Sequence, residues 1–155
     1  MFVAHLYIDQ GKGFDRFHVV ESDYIAGIGR FELEFNVEKY ADIKNLRFDP
    51  VEGHWCAAEL MNITYITGSG QVEGKTQGLQ SNAWIQEGNR YHFESFDPQV
   101  VLHDLPEGTL KVRIRGTFQM FDDSFKETRM QYYRSLVKRP AVKKSGQIPN
   151  AKMSR

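Results

Sequence analysis

Two short segments interleave planar and polar side chains in a way suited to holding a sugar: Asn82-Ala-Trp84-Ile-Gln86 and Arg90-Tyr91-His92-Phe93-Glu94. On strands, where successive side chains alternate between faces, Asn82, Trp84 and Gln86 would share one face, and Arg90, His92 and Glu94 another. A saccharide presents an apolar C–H face and a rim of hydroxyls. It is held by an exposed aromatic plane flanked by amides, arginine or carboxylates. Trp55, Asn82, Trp84, Gln86, Arg90, Tyr91 and His92 are therefore the candidate ligand-binding residues. The competing reading places Trp84, Tyr91 and Phe93 in the core, where aromatic rings gain by burial.

Other chemistries are poorly supplied. His5, His18, His54, His92 and His103 show none of the close spacings that give zinc its ligands, and no His-rich strand motif is present, so neither a metal nor another cofactor is expected. There is no Gly-x-Ser-x-Gly elbow, and Cys56, the only cysteine, lies in an apolar run as a small inert hydrophobe. Glu32 with Glu34 reads as a solvated strand face and Asp122 with Asp123 as a helix cap, rather than as the paired acids of a glycosidase. Gly11-Lys-Gly13 lacks phosphate-loop spacing and reads as a turn. No catalytic residue is expected, and the chain reads as non-enzymatic.

The elements that must position these residues are mostly strands. Alternation is cleanest in Arg30-Phe31-Glu32-Leu33-Glu34-Phe35-Asn36 and in Leu110-Lys111-Val112-Arg113-Ile114-Arg115 continuing to Met120, as in antiparallel sheets solvated on one face. Further strands are expected at 2–8, 17–21, 45–48, 55–66, 83–86, 90–95 and 99–102, separated by turns such as Asp49-Pro-Val-Glu-Gly53 and Pro106-Glu-Gly108. In 55–66 the apolar phase slips by one: Cys56, Ala58 and Leu60, then Met61, Ile63 and Tyr65, which predicts a β-bulge near Leu60. Residues 67–82, with four glycines among polar side chains, read as one long exposed loop at the rim of a site. The fold class that follows is mainly β, an antiparallel, jelly-roll-like β-sandwich over 1–120, with one short C-terminal helix over 121–138 and a basic linker or disordered tail over 139–155.

Length and charge agree with one domain: 155 residues suffice for a single core. Residues 138–155 carry six Lys or Arg and no acid, while residues 1–137 hold 14 basic against 20 acidic side chains. An acidic fold with a basic tail is not the uniformly positive surface of a specific nucleic-acid binder. The helix and tail, residues 121–155, are instead a candidate surface for a protein partner. No apolar run is long enough for a signal peptide or membrane span, so the expected location is the cytoplasm.

Four segments carry a family resemblance. Tyr7-Ile-Asp-Gln-Gly-Lys-Gly-Phe14, Phe31 to Phe35, Leu46-Arg-Phe-Asp-Pro-Val-Glu-Gly53 and Phe93-Glu-Ser-Phe-Asp-Pro-Gln-Val-Val-Leu102 resemble a β-sandwich accessory domain found beside bacterial glycosyltransferases and methyltransferases of surface-polysaccharide biosynthesis. The resemblance spans residues 5 to 118. It implies a non-catalytic, carbohydrate-binding-like module whose partners are a glycan or a glycan-processing enzyme. No enzyme domain accompanies it in this chain.

Overall fold

A computed structural model of the protein describes residues 2–24, 28–121 and, singly, 127, 128, 131, 134 and 135. Met1–Phe121 forms one compact unit and Asp122–Arg155 another. The helix expected over 121–138 and the tail over 139–155 therefore lie, but for Phe121 and those single positions, outside the described residues.

The first unit is built of β1 (Phe2–Asp9), β2 (Val19–Tyr24), β3 (Ile28–Asn36), β4 (Asn45–Asp49), β5 (Cys56–Thr67), β6 (Gly70–Glu73), β7 (Gln80–Ser81), β8 (Ile85–Glu87), β9 (Arg90–Phe93), β10 (Val100–Leu102) and β11 (Thr109–Met120). Two antiparallel sheets result. One has the order β2-β1-β4-β10-β7; the other runs β3-β11-β5-β9-β8, with β6 paired to β5. The arrangement is sandwich-like, since inward side chains of both sheets share one core, with Phe48 of β4 meeting Phe31 and Phe35 of β3 at ring separations of 6.3 and 6.1 Å. Alternation does the sorting: Phe31, Leu33 and Phe35 are buried, while Arg30, Glu32, Glu34 and Asn36 are exposed. Each fully buried ring contributes roughly 1.5–3 kcal/mol of transfer free energy.

The bulge falls where the apolar phase slips. Against β11, Leu60 stands opposite Gly116 and Asn62 opposite Arg115, leaving Met61 as the extra residue. Met61 is turned out to solvent, contrary to its expected place with Ile63 and Tyr65, because the bulge itself uses up the out-of-phase position. Asn89 seals the irregularity: its side-chain amide donates to the Leu60 carbonyl at 2.8 Å, and its own carbonyl accepts from the Leu60 N–H at 2.9 Å. Opposite, a Cβ on Gly116 would lie 2.0 Å from the Glu59 carbonyl oxygen, so only glycine fits that approach.

The stretch 67–82 is not one loop. Gly70–Glu73 folds back on β5 as β6, and Gln80–Ser81 joins the edge of the five-stranded sheet as β7. Gly68-Ser-Gly70 supplies the hairpin turn, and the open backbone edge of β5 recruits Gln71 to Glu73 although Val72 is the one apolar side chain among them, so tertiary pairing overrides weak strand propensity.

Candidate functional site

A dense polar cluster sits on the outer face of the five-stranded sheet. Leu46 and Phe48 of β4 point inward, as do Leu6 and Ile8 of β1, so Arg47, Asp49, His5 and Tyr7 face away from the core. The strand register sets Tyr7 beside Arg47 and His5 beside Asp49. Arg47 grips Asp49 with a two-pronged bond, Nε donating to Oδ1 and Nη2 to Oδ2, each at 2.9 Å. Its guanidinium lies 4.3 Å from the centre of the Tyr7 ring and 5.5 Å from that of Phe14. Tyr7 donates its hydroxyl to Glu52 at 2.8 Å, and the His5 ring stacks beside it at 5.8 Å. Carboxylate oxygens of Asp49, Glu52 and Asp97 come within 4.8 Å of one another.

Local sequence explains how each group arrives. Asp9, at the end of β1, accepts from the N–H groups of Gly11 and Gly13 at 2.7 and 2.8 Å and from the Asn45 amide at 2.9 Å. This carboxylate-organised turn is the physical meaning of Asp9-Gln-Gly-Lys-Gly13, and it returns Phe14 to the vicinity of Arg47. Asp49-Pro50 ends β4 and brings Glu52 back over Tyr7. Asp97 is placed by two amides: Asn82 donates to its carbonyl at 2.8 Å, and Gln99 donates to its Oδ2 at 2.6 Å.

Asp49 is 0% exposed. Burial, with the nearby charges of Asp97 and Glu52, raises its carboxyl to about 7, against the opposing pull of the Arg47 fork. Burial alone would lower Arg47, but the bonds and charge of Asp49 outweigh it and hold the guanidinium proton more tightly. Burial first, then the bond to Glu52, raises the Tyr7 phenol, which stays protonated. Three carboxylates are the kind of oxygen set that calcium takes. Here each already has a protein donor: Arg47 for Asp49, Tyr7 for Glu52 and Gln99 for Asp97. The arrangement is thus a rigid, recessed set of hydrogen-bonding groups beside planar rings.

The seven residues singled out from sequence are dispersed. Trp55 is 8% exposed and packs 6.3 Å from the Phe96 ring, and Tyr91 lies wholly in the core with its hydroxyl donating to the Thr76 carbonyl at 2.9 Å. Asn82 serves the Asp97 loop, and Gln86 bridges the Leu79 carbonyl and the Ser81 hydroxyl. Arg90 and His92 line a shallow depression of about 240 Å³ on the outer face of the six-stranded sheet, with Arg30, Ala57 and Glu59. There the cross-strand row Arg30, Thr117, Glu59, Arg90, Glu87 alternates charge, as on a solvated sheet face. Trp84 is 43% exposed and does not line this depression, although its backbone N–H donates to the His92 carbonyl at 2.7 Å.

Tyr7, Phe14, Arg47, Asp49, Glu52 and Asp97 were not among the residues singled out. Their signal was present as a repeated tripeptide, Phe48-Asp49-Pro50 and Phe96-Asp97-Pro98, two turns whose aspartates converge. All but the Phe31 to Phe35 segment of the resemblance deliver residues to this one cluster. Comparison with protein-family models, curated proteins and solved structures found no match to this chain.

Proposed function

We propose that the protein is a non-catalytic glycan-binding module, built on a jelly-roll-like sandwich and accessory to glycan-processing or polysaccharide-synthesis enzymes, with its binding face on the outer side of the five-stranded sheet. One observation carries the reading: a pre-ordered patch in which Tyr7, with His5 stacked beside it, and Phe14 flank Arg47 beside a fully buried Asp49. Aromatic rings suit the C–H face of a sugar, and the remaining guanidinium protons and carboxylate lone pairs suit its hydroxyls. Because the side chains are already locked by mutual hydrogen bonds, little rotamer entropy is lost on binding. A glycan array followed by calorimetry tests this. Wild type is expected to retain a defined oligosaccharide and Tyr7→Ala to lose roughly tenfold or more in affinity, the scale of one aromatic contact. Silence of the wild type across the array, or binding indifferent to Tyr7→Ala, would refute the assignment.

A further inference from the structure

At the pole of the sandwich where β3 and β10 end and β4 and β11 begin, the connections 37–44 and 103–108 face each other across a groove of about 480 Å³. Its floor is apolar: Tyr40, Ile43 and Leu105 are half-buried and pack against the core. Its rim is acidic, with Glu38 and Asp42 on one wall, Glu107 on the other, and Lys44 as the one cation of the lining among the described residues. None of these four charged side chains makes a hydrogen bond or ion pair among the described residues. Acids on the six-stranded sheet stand differently, since Glu34 has Arg113 at 3.0 Å and Glu32 has Arg115 at 3.7 Å.

We propose that this groove docks a basic peptide segment of a partner protein, with an apolar side chain seated on the floor between Lys or Arg side chains that meet the rim. Charge selects the sign: three carboxylates against one ammonium attract a cationic chain and repel an acidic one. Spacing selects a chain over a point charge. Glu38, Asp42 and Glu107 do not converge as the ligands of a metal do; among the described residues only Asp49, Glu52 and Asp97 form a trio with carboxylate oxygens within 4.8 Å of one another. A lone amine would answer one carboxylate and leave the others. The floor selects an apolar residue between the cations, because seating it there removes apolar surface of both partners from water. Tyr40 already attracts a cation, since the Lys39 ammonium lies 5.3 Å from its ring centre.

The walls are fixed before anything docks. The Val37 N–H donates to the Leu110 carbonyl at 2.9 Å, joining the bases of the two connections. The Lys44 N–H donates to the Asp9 carbonyl at 2.8 Å, and the Gln10 amide to the Ala41 carbonyl at 2.6 Å, so the first wall is tied to the end of β1. On the other side the Thr109 hydroxyl donates to the Pro106 carbonyl at 2.6 Å. Little backbone order is therefore lost by this protein on docking. β4 runs from this pole, at Asn45, toward Asp49 of the sheet-face cluster, so the two sites are distinct and neither depends on the other.

The test is amide-resolved NMR titration of the full chain with an end-capped synthetic peptide, Lys-Arg-Ile-Lys-Arg. Two control peptides accompany it, one with Ser in place of Ile and one with Glu at all the basic positions. The first peptide is expected to give saturable shifts at Tyr40, Ile43, Leu105 and Leu110 that weaken as salt is raised, because the rim charges are exposed. Glu38→Gln combined with Glu107→Gln changes two exposed side chains and should weaken binding roughly three- to tenfold, the worth of two exposed ion pairs. The Ser peptide should bind at least about threefold more weakly, for want of apolar burial, and the Glu peptide should be silent. Shifts confined to residues outside 37–44 and 103–110 would overturn this site. So would no saturable shift with the first peptide, equal binding of either control, or an unchanged affinity in the double variant.

Discussion

Separating Arg47 from Asp49 should destabilise the fold in a way that depends on pH. Arg47→Met keeps the stem that covers Tyr7 but removes the guanidinium, leaving the fully buried Asp49 without its two donors. Stranding one member of a buried pair costs about 3–5 kcal/mol, and the 19% exposure of the Arg47 side chain places the expected loss near the lower figure. The wild-type carboxyl already sits at about 7 rather than its ordinary 3.8, a gap that converts to a ceiling of about 4 kcal/mol. Since the folded-state value is the higher one, the native protein holds the proton more firmly than the unfolded chain. The stability this group contributes is complete below 3.8 and is lost as pH rises through about 7. Removing Arg47 deepens that fall. The penalty of Arg47→Met should therefore be about 1 kcal/mol near pH 4, where the carboxyl is neutral and only hydrogen bonding is lost, and about 3 kcal/mol near pH 8. Asp49→Asn should flatten this part of the profile, and the double variant should recover about 1–2 kcal/mol relative to additive losses. Urea unfolding of all four proteins across this pH range measures each quantity. Equal penalties for Arg47→Met at both ends of the range, or strictly additive single losses, would show that no buried charge is being compensated.

Further outcomes follow from other parts of the fold. Gly116→Ala drives a methyl into the Glu59 carbonyl opposite the bulge and should cost about 3 kcal/mol, the upper range for overpacking; thermal unfolding within about 1 kcal/mol of wild type would mean the bulge is not rigid. Asp9→Ala removes the acceptor of three hydrogen bonds and should cost about 2–3 kcal/mol at neutral pH. The bond from Asn45, then those from the turn backbone, hold Asp9 below its ordinary 3.8, so its contribution is present above that value and lost as pH falls through the folded one. Acid unfolding of Asp9→Ala should accordingly be shallower than that of wild type, and parallel curves would contradict the turn's role.

Strand alternation made most of the β scaffold readable, because each sheet has one dry and one wet face and the side-chain period of two records which is which. The slip between Leu60 and Ile63 located the bulge for the same reason. What alternation cannot record is pairing: β6 and β7 have no apolar face of their own, and only the exposed edges of β5 and β10 make strands of them. The cluster on the five-stranded sheet was hidden by a related limit. Asp49 and Asp97 are 48 positions apart, and each alone is indistinguishable from the aspartate of an ordinary Asp-Pro turn. Their convergence depends on where the turns after β4 and before β10 meet, and β4 pairs with β10 at only three positions, Phe48 with Val100, Arg47 with Val101 and Leu46 with Leu102. Tryptophans draw the eye because large rings dominate binding surfaces, but the same area makes burial favourable, and Trp55 and Tyr91 went to the core. A carboxylate carries the opposite bias. Water is the cheaper place for it, so an Asp49 that is shut away from solvent and still held by an arginine departs from what folding alone favours. Such a departure on an outer sheet face, where no core demands it, is the mark of a surface shaped for something other than stability.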